Sequence, residues 1–293
     1  MTFSIRFTLV LITLVTLVFG AAGPSRADTT VLYDGSLNST PDQQGWLYIT
    51  NPGSSAVHSA NEGGTTLNTT AKTNNQAGYF SYSHPLMPEL NRSTGFTISF
   101  RVKVLSESHG NNSDRAGFSV IVITHYLKGL ELGFWSNEIW AQADLFTHAE
   151  GTNFDTTESL TGYDLAIWGN NYRLSAGGLT ILTGPLRDYS SFGPPYNIPD
   201  FLFFGDDTTS ASASIKLASI ACIDRVENVI GDINGSLRVG LDDAILALQV
   251  SGGLRPAGMI SPAGLSDVDV NGDGRIGSEE SIYILEKVAG LRE

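Results

Sequence analysis

Near its C-terminus the chain reads Asp269-Val-Asn271-Gly-Asp273-Gly274-Arg275-Ile-Gly277-Ser-Glu-Glu280, placing oxygen-bearing side chains at the first, third, fifth and twelfth places of a tight loop. A hard cation such as Ca²⁺ takes six to eight oxygens at about 2.3–2.6 Å, and a turned loop closed by a distant bidentate carboxylate gathers that many. The spacing predicts side-chain ligands from Asp269, Asn271 and Asp273, the backbone carbonyl of Arg275, and two oxygens from Glu280. Gly274 falls at the sharp turn, where positive φ is cheap only without a Cβ. Gly277 has no side chain, so a water would fill the remaining equatorial place.

The pattern occurs twice. Asp232-Ile-Asn234-Gly-Ser236-Leu237-Arg238-Val-Gly240-Leu-Asp242-Asp243 lies thirty-seven positions upstream, and the match runs on to Gly253-Leu254-Arg255 against Gly290-Leu291-Arg292. Duplication at a fixed period marks one structural unit used twice. After the loops, Ile245 and Leu248, then Ile282, Leu285 and Val288, recur at helical spacing. The expectation is one loop followed by one helix, repeated.

Residues 230 to 293 thus resemble the dockerin type I module of bacterial polysaccharide-degrading systems, whose calcium loops lack the entering helix of a full EF-hand. The resemblance implies a small domain folded around two calcium ions that plugs into a cohesin-like domain. By motif position it makes Asp269, Asn271, Asp273, Arg275 and Glu280 the ligands of one site, and Asp232, Asn234, Ser236, Arg238 and Asp243 those of the other. The first loop departs from the pattern: its fifth place is Ser236, and Leu237 stands at the turn, where a left-handed conformation costs a residue with a Cβ roughly 1–2 kcal/mol. With two carboxylates against three, this loop should hold calcium more weakly. The tenth and eleventh places carry Leu241-Asp242 and Ser278-Glu279, where family members often use Ser-Thr to recognise the partner.

Met1 to Ala27 read as a secretory signal, with Arg6 in a basic start, an apolar run from Phe7 to Val18, and Ser25-Arg26-Ala27 offering small residues for cleavage. The run is short for a membrane span of about 20 residues, so a secreted or cell-surface chain starting at Asp28, without a span, is expected. Removal of Arg6 and Arg26 takes the formal charge from −13 to −15. Such an acidic surface argues against nucleic acid and anionic lipid as partners. Cys222 is the single cysteine, so no intrachain disulfide can form.

From Val31 to Cys222 short alternating runs dominate. Phe96, Ile98, Phe100, Val102 and Val104 alternate with Thr97, Ser99, Arg101 and Lys103, which predicts a strand with one wet face. Phe118 to Ile123 and Phe201 to Phe204 are uniformly apolar, as for strands covered on both faces. Tyr163–Trp168, Tyr172–Ser175 and Leu179–Thr183, separated by Gly/Asn turns, read as a three-stranded meander. The fold class expected is mainly β: an antiparallel jelly-roll sandwich over residues 28–222, a short joint at 223–230, and a small helical calcium-binding domain at 231–293. Gly95–Phe100, Arg115–Val122, Glu131–Trp135 and the meander make the sandwich similar to the concanavalin-A/laminin-G class on exported bacterial proteins.

For a binding face the best segment is Gly133 to Gln142, with Trp135 and Trp140 as a platform for sugar rings and Glu138 as a polar partner; Trp46 is a further candidate. Glycoside hydrolysis needs two carboxylates about 5–9.5 Å apart, yet no Glu-x-Asp-x-Glu run occurs. Glu131 and Glu138 are seven apart, an odd spacing that sends them to opposite faces of one strand unless the chain bends near Ser136-Asn137. His148, Cys222, Asn111–Asp114 and Asp206-Asp207 read as a loop histidine, a core thiol and two polar turns. The reading is a non-catalytic, secreted binding protein with a docking tail that meets a cohesin-like domain or its own sandwich. The alternatives are a polysaccharide hydrolase or lyase targeted by that tail, and a purely structural surface protein.

Overall fold

The computed structural model describes residues 29–224, 230–234, 239–254, 256, 268–271, 273 and 275–292; the signal segment, the centre of the joint, and Ser236, Arg238 and Gly274 lie outside these. Sixteen strands come first: β1 (Thr29–Asp34), β2 (Leu47–Thr50), β3 (Val57–Asn61), β4 (Gly64–Asn68), β5 (Ala77–Phe80), β6 (Phe96–Ser108), β7 (Ser119–Ile123) and β8 (Lys128–Phe134). Then follow β9 (Glu138–Gln142), β10 (His148–Asn153), β11 (Thr161–Trp168), β12 (Asn171–Ala176), β13 (Leu179–Pro185), β14 (Arg187–Asp188), β15 (Phe201–Asp206) and β16 (Ser212–Ile223). Among the described residues two helices follow, α1 (Leu241–Ser251) and α2 (Ser278–Val288).

The strands form two antiparallel sheets, a β-sandwich. One runs β13-β12-β11-β6-β16-β4-β3 with β1 also on β16; the other runs β10-β9-β8-β7-β15-β5-β2 with β14 also on β8. The alternation of β6 sets its place: all five apolar side chains from Phe96 to Val104 are buried in the core between the sheets, while Arg101 is exposed. Phe100 reaches across to Phe204 and Phe134, at ring separations of 5.4 and 6.2 Å, and stacks on Tyr163 of its own sheet at 5.3 Å. The meander pairs as expected, Tyr163 to Trp168 against Asn171 to Ala176 and then β13. Gly177 and Gly178 both take positive φ, as a two-residue hairpin turn of the type I′ kind demands.

Strands β7 and β15 are neighbours at the middle of their sheet, and both are buried on each face. Val120, Val122, Leu202 and Phe204 face the sandwich core. Ile121, Ile123, Phe201 and Phe203 point outward into a second apolar cluster, covered by Tyr189, Phe146, Tyr196 and Ile198. A segment that returns over the outside of the sheet therefore explains why these strands carry no polar face.

One rung across that outer face is built from small residues: Gly78 pairs with Gly205, Gly205 with Ser119, Ser119 with Gly133, and Gly133 with Trp140. A Cβ on Gly78 would stand 2.2 Å from the Phe203 ring, and one on Gly133 2.7 Å from the Trp140 ring. These glycines let large rings lie flat on the sheet, the close-approach use of glycine inside a strand.

Cys222 is a buried core residue, its thiol pushed up to about 12 by burial and the nearby Asp224.

The two helices of the tail pack around Ile233, Ala244, Ala247, Val268, Ile276 and Ile284. Both helices fall where the apolar spacing places them, but on another face: Ile245, Leu248, Ile282, Leu285 and Val288 are exposed, while alanines and Ile284 fill the core.

At Gly205 a Cβ would meet the backbone of Ala77 and Gly78 at 2.4 Å, whereas at Gly162 its nearest neighbour is 3.8 Å away. Gly205→Ala should cost about 1–3 kcal/mol of stability by overpacking. Gly162→Ala should stay within about 0.5 kcal/mol of the parent in urea unfolding.

Candidate functional site

The outer face of the β2–β5–β15–β7 sheet holds a cleft of about 290 Å³. Its floor is apolar: Phe80 and Phe203 meet edge-on at 4.8 Å, with Ile121 beside them and the paired glycines 78 and 205 making room above the strands. Ile49 and Pro195 also line it. The polar lining gathers at one end, where Thr50, Asn51, Gln76, Tyr196, Asp206 and Asp207 contribute. An apolar surface with a few convergent polar groups is the usual form of a small-ligand site.

The polar end is held by a network. The Asn51 side-chain oxygen accepts from the Gln76 backbone N–H at 2.8 Å, and Gln76 Nε2 donates to the Asp207 carbonyl at 2.6 Å. The Tyr196 hydroxyl donates to Glu131 Oε2 at 2.7 Å and lies 3.5 Å from Asp207 Oδ2. Behind it, Gln142 Nε2 donates to Glu131 Oε1 at 3.3 Å. Asp206 points to the other sheet, where Thr69 Oγ1 donates to its Oδ2 at 2.6 Å and the Thr208 N–H to its Oδ1 at 3.1 Å.

These carboxyl groups hold their protons above the ordinary carboxylate range, because burial penalises the charged form. Asp206 is pushed up to about 8 by burial, against the opposing bonds from Thr69 and Thr208. Glu131, 2% exposed, is raised by burial and by the facing Asp207, and Asp207 is raised by its own burial. Arg115 pulls both down without cancelling the rise. Burial and the two carboxyl neighbours push the Tyr196 phenol up, so it remains a donor.

The residues expected to form the binding face sit on the same sheet but in a different state. Trp140 is fully buried and Trp135 is 9% exposed. The His148 ring stacks on Trp140 at 4.4 Å and the His109 ring on Trp135 at 4.0 Å, so both indole faces that would receive a sugar are occupied. Glu138 Oε1 lies 3.0 Å from His148 Nε2 and locks that ring in place. Trp46 packs edge-on against Phe204 in the core and donates to the Leu32 carbonyl. His148, read from the sequence as a loop residue, opens β10, and its ring nitrogens lie against Glu138 and the Ser113 carbonyl, while Glu150 accepts from Tyr172 and Arg187.

Glu131 and Glu138 are on one face after all. The chain turns at Ser136-Asn137, so the two residues lie on adjacent strands, with Glu131 and Glu138 both outward and Leu132, Phe134 and Ile139 inward. The Gly133–Trp140 pair still separates them. Asp206-Asp207 is likewise no simple surface turn: Asp206 is buried, and both residues line the cleft. Their signal in the sequence is the apolar run Phe201 to Phe204, which delivers two carboxyl groups to the end of a central strand. No sequence signal marks Tyr196, which arrives from a Pro- and Ser-rich loop.

In the tail, Glu280 accepts the N–H groups of Val270 and Gly277 at 3.1 and 2.6 Å, and Asp243 those of Asn234 and Gly240 at 2.9 and 2.8 Å. The two loops are therefore closed by equivalent carboxylates, each at the third position of a helix and favourably placed at its N-terminus. Burial raises the Asp243 carboxyl against these bonds. Asn271, Asp273 and Arg275 follow one another through Asx-type bonds to the preceding side chain. Among the described residues no group of three or more His, Cys, Asp or Glu is assembled to hold a metal ion. Nor is any described helix long and apolar enough to cross a membrane.

No family model matches the chain, and no curated protein matches its sequence. Among solved structures, the chain is similar to a carbohydrate esterase from Shiga toxin-encoding bacteriophage phi24B, at 16% identity and a TM-score of 0.47 over 68% of this chain and 100% of that one. A Bacillus subtilis protein of unknown function with a galectin-like fold aligns at 12% identity and a TM-score of 0.44, over 69% and 100%. The exoplasmic/lumenal domain of VIP36, in a Ca²⁺/Man3GlcNAc-bound form, aligns at 10% identity and 0.41, over 68% and 90%.

Between its unfolded value near 4 and its folded value of about 8, Asp206 holds more proton in the folded chain than in the unfolded one. Its contribution is thus fully present below the lower value and is lost as pH rises through the higher. Relative to Asp206→Asn, the parent should lose stability across that window with a slope of up to about 1.4 kcal/mol per pH unit, measured by urea unfolding at a series of pH values.

Proposed function

We propose that the chain is an exported carbohydrate-binding protein: a sandwich over residues 28–222 that takes a saccharide in the outer-face cleft, and a calcium-organised tail over residues 231–293 that docks it. The carrying observation is the cleft's composition, with Phe80, Phe203 and Ile121 as an apolar floor and Asn51, Gln76, Tyr196 and Asp207 at its polar end. Sugar rings present apolar C–H faces and a rim of hydroxyls, and this arrangement meets both. The segment Met1–Ala27 supports export.

For the tail, the dockerin-like reading is supported by the twin loops and their equivalent closing carboxylates. Asp269, Asn271, Asp273, Glu280 and the Arg275 carbonyl would hold one Ca²⁺; Asp232, Asn234, Ser236, Asp243 and the Arg238 carbonyl would hold a second, weaker one. The donors are all oxygen, as a hard cation requires, and each closing carboxylate keeps lone pairs beyond the two N–H bonds it accepts. The ion's contribution would be folding free energy. Exposed apolar residues on both helices, Ile245 with Leu248 and Ile282 with Leu285, each pair three positions apart on its helix, support docking to a cohesin-like partner.

Hydrolysis is the second reading, favoured by one observation: the buried Glu131 and the half-buried Asp207 both face the Tyr196 hydroxyl beside the cleft. Polysaccharide cleavage that disappears in a folded Glu131→Gln variant would establish it.

On a glycan array the intact protein should retain a defined set of saccharides, and Tyr196→Ala should weaken each by about tenfold or more, about 1.4 kcal/mol. Absence of any saccharide binding would refute the reading. Chelation of calcium should remove helical ellipticity while leaving Trp fluorescence unchanged, because all four tryptophans lie between residues 46 and 168; identical spectra with and without chelator would dismiss the calcium-organised tail.

A further inference from the structure

The ionisable side chains at the polar end of the cleft are all acids, and Asp207 is the one that faces it, since Asp206 is turned to Thr69. The lining contains Asp206 and Asp207 and no Lys, Arg or His. Glu131 stands directly behind, bonded to the lining residue Tyr196. Arg115, the cation that acts on Glu131 and Asp207, spends its hydrogen bonds elsewhere: it donates to the Asp114 and Phe146 carbonyls and lies over the Phe146 ring. Gln142, 2% exposed and on the same sheet face as Glu131, stands behind that carboxyl outside the lining, and its Oε1 has no partner within the described residues. The polar end of an otherwise apolar cavity is therefore rich in acceptors and lacks a positive charge of its own.

We infer, building on the carbohydrate-binding reading, that the saccharide bound in this cleft carries a free amino group, and that its ammonium sits at the Asp207 end while its ring lies on Phe80 and Phe203. An ammonium offers several N–H donors and one positive charge, the two things this end lacks. An anionic sugar would gain nothing from the ability of these acids to ionise and would oppose it. A neutral sugar would meet the protonated acids as hydrogen-bond partners only and would leave their capacity to ionise unused. The protonation of the cluster fits this assignment: acids kept neutral by burial ionise when a cation arrives, so binding the amine should release a proton.

The test is calorimetry on the intact chain with a glucosamine oligosaccharide and its fully N-acetylated counterpart, at mildly acidic pH, in two buffers of different ionisation enthalpy. The amine should bind at least about tenfold more tightly, and its heat should differ between buffers in the sense of proton release. Asp207→Asn should bring the amine down toward the affinity of the N-acetylated sugar. Proton release is read on the parent protein, so it stands even if that variant folds poorly. Equal or tighter binding of the N-acetylated sugar, or buffer-independent heat for the amine, overturns the amino-sugar assignment and leaves carbohydrate binding in place. If neither probe binds and the glycan array is also blank, both fall together.

Discussion

Ring-on-ring contact through the middle of the sandwich is the interaction on which the rest depends. Phe100 meets Phe134 and Phe204 of the opposite sheet and Tyr163 of its own, and Phe118 adds to Phe134 at 5.3 Å. Aromatic side chains bury about 150–250 Å² each, so a few of them dominate a core. With one free cysteine and no disulfide, this apolar contact fixes the spacing of the two sheets. Sheet position then decides which residues of β7, β8 and β15 turn outward to build the cleft.

The outer face works under a second constraint. Large rings lie against it at Phe203 and Trp140, and the strands beneath carry glycine where those rings touch. Tyr196, Ile198 and Phe146 cover the apolar residues that remain. Carboxyl groups brought under this cover lose water without gaining a full counter-ion, and they answer by holding protons. The acid network is thus a result of the packing, and the cleft inherits its electrostatic character from it.

Much of the sandwich was legible in the chain. The alternation of Phe96 to Val104 and the Gly-punctuated meander fix strands directly, because a period of two and turn chemistry are local signals. The site was not, because it is assembled from β2, β5, β15 and the loop carrying Tyr196, segments far apart in sequence. Trp135 and Trp140 read as a platform for sugar rings, yet His109 and His148 stack on them, a contact no spacing reveals. Glu131 and Glu138 were separated by parity along one strand, whereas the turn at Ser136-Asn137 resets that parity. In the tail, periodicity placed both helices but not their inward faces, since small residues such as Ala244 and Ala247 allow close helix packing and leave the larger Ile245 and Leu248 outside.

The facing pair Gly78 and Gly205 has a consequence for how such a chain can change. Any side chain introduced at Gly78 must dislodge the Phe203 ring, and any at Gly205 must push against the neighbouring strand's backbone. Ligand space and sheet integrity are therefore coupled at the same two atoms. Divergence toward a new ligand has to proceed through the rim and the Tyr196 loop, leaving the floor as an inherited, nearly immutable plate.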